Sequence, residues 1–441
     1  METANAGDGF SATKQNDCSA IDFRPAKRWG ASKQDVWSVI NEGAEASPIK
    51  PSVNLSQGYF GWNPPEFIRE AAKQALDRFE CNKYAPTKGR SRLREAISKT
   101  YTPLWGRCIN PETEVVVTTG ANEGMLSVWM AFLNPGDEVI LFEPYFDQYL
   151  DDIHMAGGVI RCVPLRPPAK ADIAICSSSE WTINFVEVEQ SITSRTKMIV
   201  INTPHNPTGK VFSREELRRI SDICVRHNLL LLSDEVYDRL SYVPFTRVAT
   251  LGPDVQQRTI TVGSVGKHFF CTGWRVGWLI VPAQLIDAIA TAHLRICYCT
   301  PGPLQEAAAA AYEQSLYNGF WSQTHTLVRE KMIRLCQVFQ ELDLPYTIPE
   351  GGYFVLVNLA KVQIPREYRF PPHIRDRRRG FLLAWFLIME LGVAAIPASE
   401  FYSPEHACLG ENYLRFAVCH ADDILDLAKA RLRGLQLYLT V

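Results

Sequence analysis

Residues 198–237 read MIVINTPHNPTGKVFSREELRRISDICVRHNLLLLSDEVY, and this stretch sets the architecture. Met198-Ile199-Val200-Ile201 is an unbroken apolar run that closes on the turn Thr203-Pro204-His205-Asn206-Pro207-Thr208-Gly209. A second run, Leu229 to Leu232, closes on Ser233-Asp234-Glu235-Val236-Tyr237. A strand buried on one face alternates apolar with polar residues, whereas one buried on both faces does not. Working outward, Val115-Val116-Val117, Val139-Ile140-Leu141 and Thr259-Ile260-Thr261-Val262 repeat the pattern, with amphipathic helical intervals between them. The expected fold is therefore α/β, with a large domain of mostly parallel sheet covered by helices on both faces. Further out, helical signals start at Asp35-Val36-Trp37, and Pro64-Pro65 start a helix over Glu66 to Phe79. From about Tyr317 helical and strand patterns mix. We therefore expect a loose leader over 1–33, a small α+β domain from 34–62 and 317–441, and a large domain over 63–316.

The 441 residues exceed the roughly 250–300 at which single cores stop growing, in keeping with two domains. Lysine plus arginine number 46 against 48 acids, so no general attraction to nucleic acid or an anionic membrane is expected. No segment approaches the ~18 apolar residues of a membrane span. The twelve cysteines are scattered apart from Cys297 and Cys299, without zinc spacing, and read as reduced thiols. No metal is expected. The N-terminal stretch carries Asp8, Asp17 and Asp22 and no apolar secretory core. A cytoplasmic location is the expectation, and mitochondrial import is the less favoured alternative.

In open α/β sheets, ligands bind beyond the carboxyl ends of the strands. After Val115 to Thr118 comes Thr119-Gly120-Ala121-Asn122-Glu123-Gly124, small residues entering a helix where amides can meet an anion. Taken alone, a plain tight turn is the better reading of that motif. Asp234 ends an apolar run, so it needs a cationic partner or protonation, unless it is a helix cap. Thr259 to Val262 leads into Gly263-Ser264-Val265-Gly266-Lys267, then on to Thr272-Gly273-Trp274-Arg275. Desolvation and the nearby Arg275 would both disfavour the ammonium form of Lys267 and expose a nucleophilic amine. One lysine in a glycine turn would mean little. Asn206, Asp234, Tyr237, Ser264, Lys267 and Arg275 at consecutive strand ends mean much more.

With those residues in that order, the chain resembles the fold-type I, pyridoxal phosphate-dependent aminotransferases of class I. More closely it is similar to the kynurenine aminotransferase/cysteine-conjugate β-lyase family, in its fungal branch, from about Asp35 to the last helix. The resemblance implies that Lys267 holds the pyridoxal 5'-phosphate cofactor and shuttles the substrate proton. It implies that Asp234 faces the pyridine nitrogen, and that Asn206 and Tyr237 bond the phenolic oxygen. Gly120, Ala121, Ser264 and Arg275 would bind the phosphate, and Phe146 would stack on the ring. Tyr84 would reach the phosphate of a neighbouring subunit, which makes a homodimer the expected unit. Arg415 would pair with the substrate α-carboxylate, joined by Asn206, Gly58 and Tyr59. Trp37, Tyr59, Phe60 and Trp62 would line an aromatic pocket, or serve as ordinary core.

Departures from the family pattern lie near the reacting centre. His268 stands where relatives commonly carry serine or threonine, either packed or as an added acid/base. Phe270 and Cys271 replace a small pair, and Tyr298-Cys299 replaces a phenylalanine-histidine pair. The implied reaction is transamination between a bulky or aromatic amino acid, kynurenine-like, and a 2-oxo acid. A carbon–sulfur β-lyase acting on cysteine conjugates is the alternative, and a non-enzymatic ligand-binding module the remote one.

Overall fold

The unbroken apolar runs become strands whose residues are buried along most of their length, because each lies inside a sheet with helices on both faces. The structure, a computed structural model, describes residues 35–440; the leader expected over 1–33 lies outside them. The larger sheet has eight strands in the order Val115–Thr118, Gly277–Ile280, Thr259–Ser264, Leu230–Asp234, Thr196–Asn202, Glu138–Glu143, Val159–Arg166, Thr182–Ile183. Its central pairings are parallel, and register places Asn202 opposite Asp234 and Asp234 opposite Val262.

Two long or central strands escape an apolar-run reading. Val159–Arg166 alternates in burial near one edge. Gly277–Ile280 runs antiparallel between Val115–Thr118 and Thr259–Ser264. It does so because the chain turns back on itself through Val265–His268 and Thr272–Trp274 and reverses at Arg275, which takes a left-handed φ of 54°. That reversal sets Gly277 opposite Ser264 and so returns Arg275 to the end of the strand that leads to Lys267. Gly263 makes the return possible: a Cβ there would stand 2.0 Å from the Trp278 ring.

A second, five-stranded sheet joins Ile396–Pro397, Tyr413–Ala417, Phe354–Asn358, Tyr346–Ile348 and Cys176–Ser177. The pair Val53–Asn54 lies parallel to Val393–Ala394, and the Ala417 amide donates to the Leu55 carbonyl at 2.8 Å. The segment after the first helix is thus built into the C-terminal half. Because Cys176–Ser177 comes from within 63–316, the two-domain boundaries remain a proposal.

The first helix, Val36–Ala46, is capped by Asp35, whose carboxylate accepts the Ser38 amide at 2.9 Å. The helix after Pro65 spans Glu66–Leu76 and stops short of Phe79, which stands 74% exposed on a following 3₁₀ turn. In the basic stretch from Arg375 to Arg379, Arg375 and Arg378 are exposed, while Arg379 reaches inward to the Val362 carbonyl at 2.8 Å. Among the described residues no helix is long and apolar enough to cross a membrane.

Candidate active site

Asn202, Asp234 and Ser264 end three adjacent strands, and a cavity of about 190 Å³ opens above them. Its lining includes Trp37, Gly58, Ala121, Phe146, Asn206, Asp234, Tyr237, Ser264, Lys267, Arg275 and Arg415. Residues spread over nearly four hundred positions thus converge at the carboxyl edge of the sheet, where the fold class places ligands.

Lys267 lies on the single turn Val265–His268, whose N-cap Ser264 accepts the Lys267 amide at 3.3 Å. Its Nζ donates to the Gly58 carbonyl at 3.3 Å. Burial pushes the ammonium pKa down to about 8, helped by Arg415 and Arg275 and opposed by Cys419 and Asp234. A nucleophilic amine is therefore accessible near neutrality.

Asp234 is 4% exposed and makes no ion pair among the described residues. Tyr149 donates its hydroxyl to one oxygen, and the Val236 amide reaches the other at 3.3 Å. Burial raises the carboxyl to about 6, with Tyr149, Val236 and Lys267 pulling back. A buried carboxylate without a cation is costly, so this one is shaped to receive a positively charged N–H. It is not a helix cap: the chain continues from it into a turn, not an α-helix.

On the opposite lining, Arg415 is 1% exposed. Its Nη1 donates to Asn206 Oδ1 at 2.9 Å and its Nη2 to the Ser56 carbonyl at 2.7 Å, while Nε has no partner among the described residues. The guanidinium lies 4.0 Å from the centre of the Phe354 ring and 5.1 Å from that of Trp37. Burial lowers its pKa to about 10, against the opposing influence of Tyr237 and Asp147. No carboxylate lies within 4.0 Å among the described residues. A planar donor fork so placed suits a carboxylate ligand.

An anion cradle forms at one end. Arg275 has no acidic partner among the described residues, and bonds only the Thr272 carbonyl at 3.1 Å. The helix Ala121–Phe132 starts with no side chain capping its amides. Gly120 is required here: a Cβ on it would lie 2.5 Å from Arg275 Nη2. Bare helix amides, the Ser264 hydroxyl and a fixed cation together favour phosphate.

Several expected residues are not brought to this cavity. Tyr59 is 43% exposed and packs edge-on against His420. Phe60 and Trp62 pack against each other and against Phe270, outside the lining, so of the four expected pocket aromatics only Trp37 lines it. Tyr84 is 83% exposed beside Tyr298. Sequence reasoning missed Tyr149, Asn202, Asp147 and Phe354. Asn202 accepts the Asn206 amide at 2.7 Å, and Asp147 accepts the Trp37 indole N–H at 2.6 Å. A usable signal existed for two of them: Asp147 and Tyr149 flank Gln148 at the start of a helix, directly after Phe146.

Comparison with known proteins identifies the family. The family model described as aminotransferase class I and II matches residues 50–431. The Saccharomyces cerevisiae protein named "Probable kynurenine--oxoglutarate transaminase BNA3" is 47% identical over 92% of this chain and 93% of its own. The kynurenine–oxoglutarate transaminase of Dictyostelium discoideum is 36% identical over 94% of this chain and 97% of its own. The crystal structure of Bna3p from Saccharomyces cerevisiae superposes with a TM-score of 0.92 at 46% identity, covering 95% of this chain and all of that one (100%).

Proposed function

The chain belongs to the class I and II aminotransferases, and from that premise we propose that it transfers the amino group of a bulky or aromatic amino acid, kynurenine-like, to a 2-oxo acid. The observation that carries this reading is one cavity holding the Lys267 amine, a buried carboxylate without a cation and a buried guanidinium without a carboxylate among the described residues. Each is half of an interaction that a cofactor and an amino acid would complete.

The residues fit pyridoxal 5'-phosphate: a phosphate cradle at Gly120, Ala121, Ser264 and Arg275, and a carboxylate at Asp234 for a protonated ring nitrogen. Phe146 would cover the ring, and Asn206 and Tyr237 would bond the phenolic oxygen. When bound, that cofactor would supply an electron sink for the pair left at Cα. Lys267 Nζ would hold the cofactor and, once released, carry the proton from Cα to the cofactor carbon C4′. Arg415 and Asn206 would grip the α-carboxylate, with Gly58 closing over it, and Trp37 and Phe354 would offer apolar faces to a flat side chain. Exclusion of water by this aromatic lining would strengthen the ion pair at Arg415.

A homodimer belongs to the same reading. Phe79, Tyr84 and Tyr298 stand 74%, 83% and 54% exposed, in keeping with a surface that meets a second copy. The reading retains a cytoplasmic location, with mitochondrial import as the alternative. The carbon–sulfur lyase alternative is not favoured, since the relatives compared here carry transaminase names.

The test is incubation with kynurenine, tryptophan or a cysteine conjugate, with and without 2-oxoglutarate. Keto product that depends on the oxo acid is expected. Pyruvate and ammonia released without an acceptor would overturn the assignment in favour of elimination.

Arg415→Lys keeps the charge and loses the fork, so amino-acid binding should weaken while the visible spectrum of the resting enzyme stays unchanged. Arg415→Ala should lose more, about 2–5 kcal/mol, as when one partner of a buried charge pair is removed. Stopped-flow saturation curves measure both. Unchanged saturation in Arg415→Ala would mean that another group holds the carboxylate.

A further inference from the structure

Outside the cavity lining runs a buried chain of polar groups that joins the two turns carrying Lys267 and Tyr237. His268 follows Lys267 directly, and Asp238 follows Tyr237. Both side chains are buried, and Nε2 of His268 lies 2.8 Å from Oδ1 of Asp238. On its other side, Nδ1 of His268 lies 2.9 Å from the Tyr312 hydroxyl, which accepts the Trp278 indole N–H at 2.7 Å. Arg247 donates to the second Asp238 oxygen at 2.6 Å, and the Tyr101 hydroxyl reaches it at 3.2 Å. Arg247 also holds Glu235 at 3.0 Å.

The donor inventory assigns the protons. An indole N–H can only donate, so the Tyr312 oxygen accepts there, and its own proton is available to Nδ1 when that nitrogen is unprotonated. An ionised carboxylate can only accept, so Nε2 carries the ring proton. Burial pushes the His268 pKa down although Asp238 opposes it, with Arg239 and Arg247 adding to the fall. Asp238 stays far below the usual carboxylate range, because Arg247 and His268 outweigh its burial. Both ring nitrogens are engaged, and the ring is absent from the cavity lining. Of the two readings open in the sequence, the packed one holds, and an acid/base role at Cα has neither a free nitrogen nor access.

We propose that His268 is a positioning residue, whose bond to Asp238 locks the Lys267 turn against the Tyr237 turn and so aims Nζ of Lys267 relative to the Tyr237 hydroxyl. Val265–His268 is a four-residue helix. A single turn has little stability of its own, so its orientation must come from tertiary contacts. A serine or threonine at 268 would be too short to reach Asp238. The proposal rests on the reading that Lys267 and Tyr237 both contact the cofactor.

The experiment compares full-length holoenzyme with His268→Ser, His268→Gln and Tyr312→Phe. It reads the pH midpoint of the visible absorbance in the resting enzyme, and kcat and KM separately. His268→Ser should keep KM within about threefold while kcat falls about 10- to 100-fold, as for a misplaced reacting group. The midpoint should move by more than about half a pH unit. His268→Gln, whose amide N–H can still reach Asp238, should recover most of both. Tyr312→Phe removes only the hydroxyl and should shift the midpoint in the same direction by less; it decides the matter if His268→Ser does not fold. Unmoved kcat and midpoint, even with a lowered melting temperature, would overturn the proposal. Borohydride labelling of each variant separates the two failures. Label away from Lys267 sinks the reading of the site, whereas label on Lys267 with an unmoved midpoint sinks only the role of His268.

Discussion

Lys267→Ala should abolish turnover, with a loss on the order of 10⁴-fold or more, because on the proposed reading one amine would serve as covalent anchor and as proton carrier. The expectation rests on position and on electrostatics together. Nζ projects into the cavity between the Gly58 carbonyl and the Tyr237 and Tyr353 rings, whose centres lie 6.0 and 5.8 Å away. Burial and two neighbouring arginines bring its pKa to about 8, so a neutral amine is present at working pH. Cofactor should still bind to Lys267→Ala, since Ser264 and Arg275 remain, but the absorbance of the lysine-bound form should vanish. Reduction of the parent enzyme with borohydride and peptide mapping makes the check direct. A pyridoxyl group recovered on any other lysine would defeat the assignment.

Asp234→Ala should bind cofactor and lose most activity. Without the carboxylate, a ring nitrogen would lose its proton and the cofactor would withdraw electrons poorly. Removing one partner of such a buried pair should raise the combined barrier and binding free energy by about 3–5 kcal/mol. Tyr149 and the Val236 amide hold the Asp234 oxygens in place in the parent, so the group is set before any ligand arrives. Turnover and absorbance spectra of the variant measure the effect. Near-normal kcat with a parental spectrum would remove Asp234 from this role.

What could be read from the chain is what its neighbours in sequence decide. An unbroken apolar run followed by a turn announces a doubly covered strand and its carboxyl end, so Asn206, Asp234, Ser264 and Lys267 were legible as residues at the edge of the sheet where ligands bind. Arg275 was legible as a charge near Lys267, but the left-handed reversal that makes Gly277–Ile280 antiparallel was not. A short run after a glycine-rich turn carries no mark of its direction. The aromatic cluster near Gly58 was legible as aromatic and no further: Trp37 faces the cavity, while Phe60 and Trp62 turn to Phe270.

By itself, then, the sequence determined the α/β class, the strand ends and the lysine proposed as nucleophile, because apolar patterning and turn chemistry act over a few residues. Tertiary structure alone decided the partners. Arg415 meets Asn206 across 209 positions because Tyr413–Ala417 pairs with Phe354–Asn358 in a second sheet. Tyr149 meets Asp234 across 85 positions, and His268 meets Asp238 across 30. Those contacts depend on strand register and on how helices seat against the sheet, which are set by the packing of the whole core and not by the spacing of any local motif.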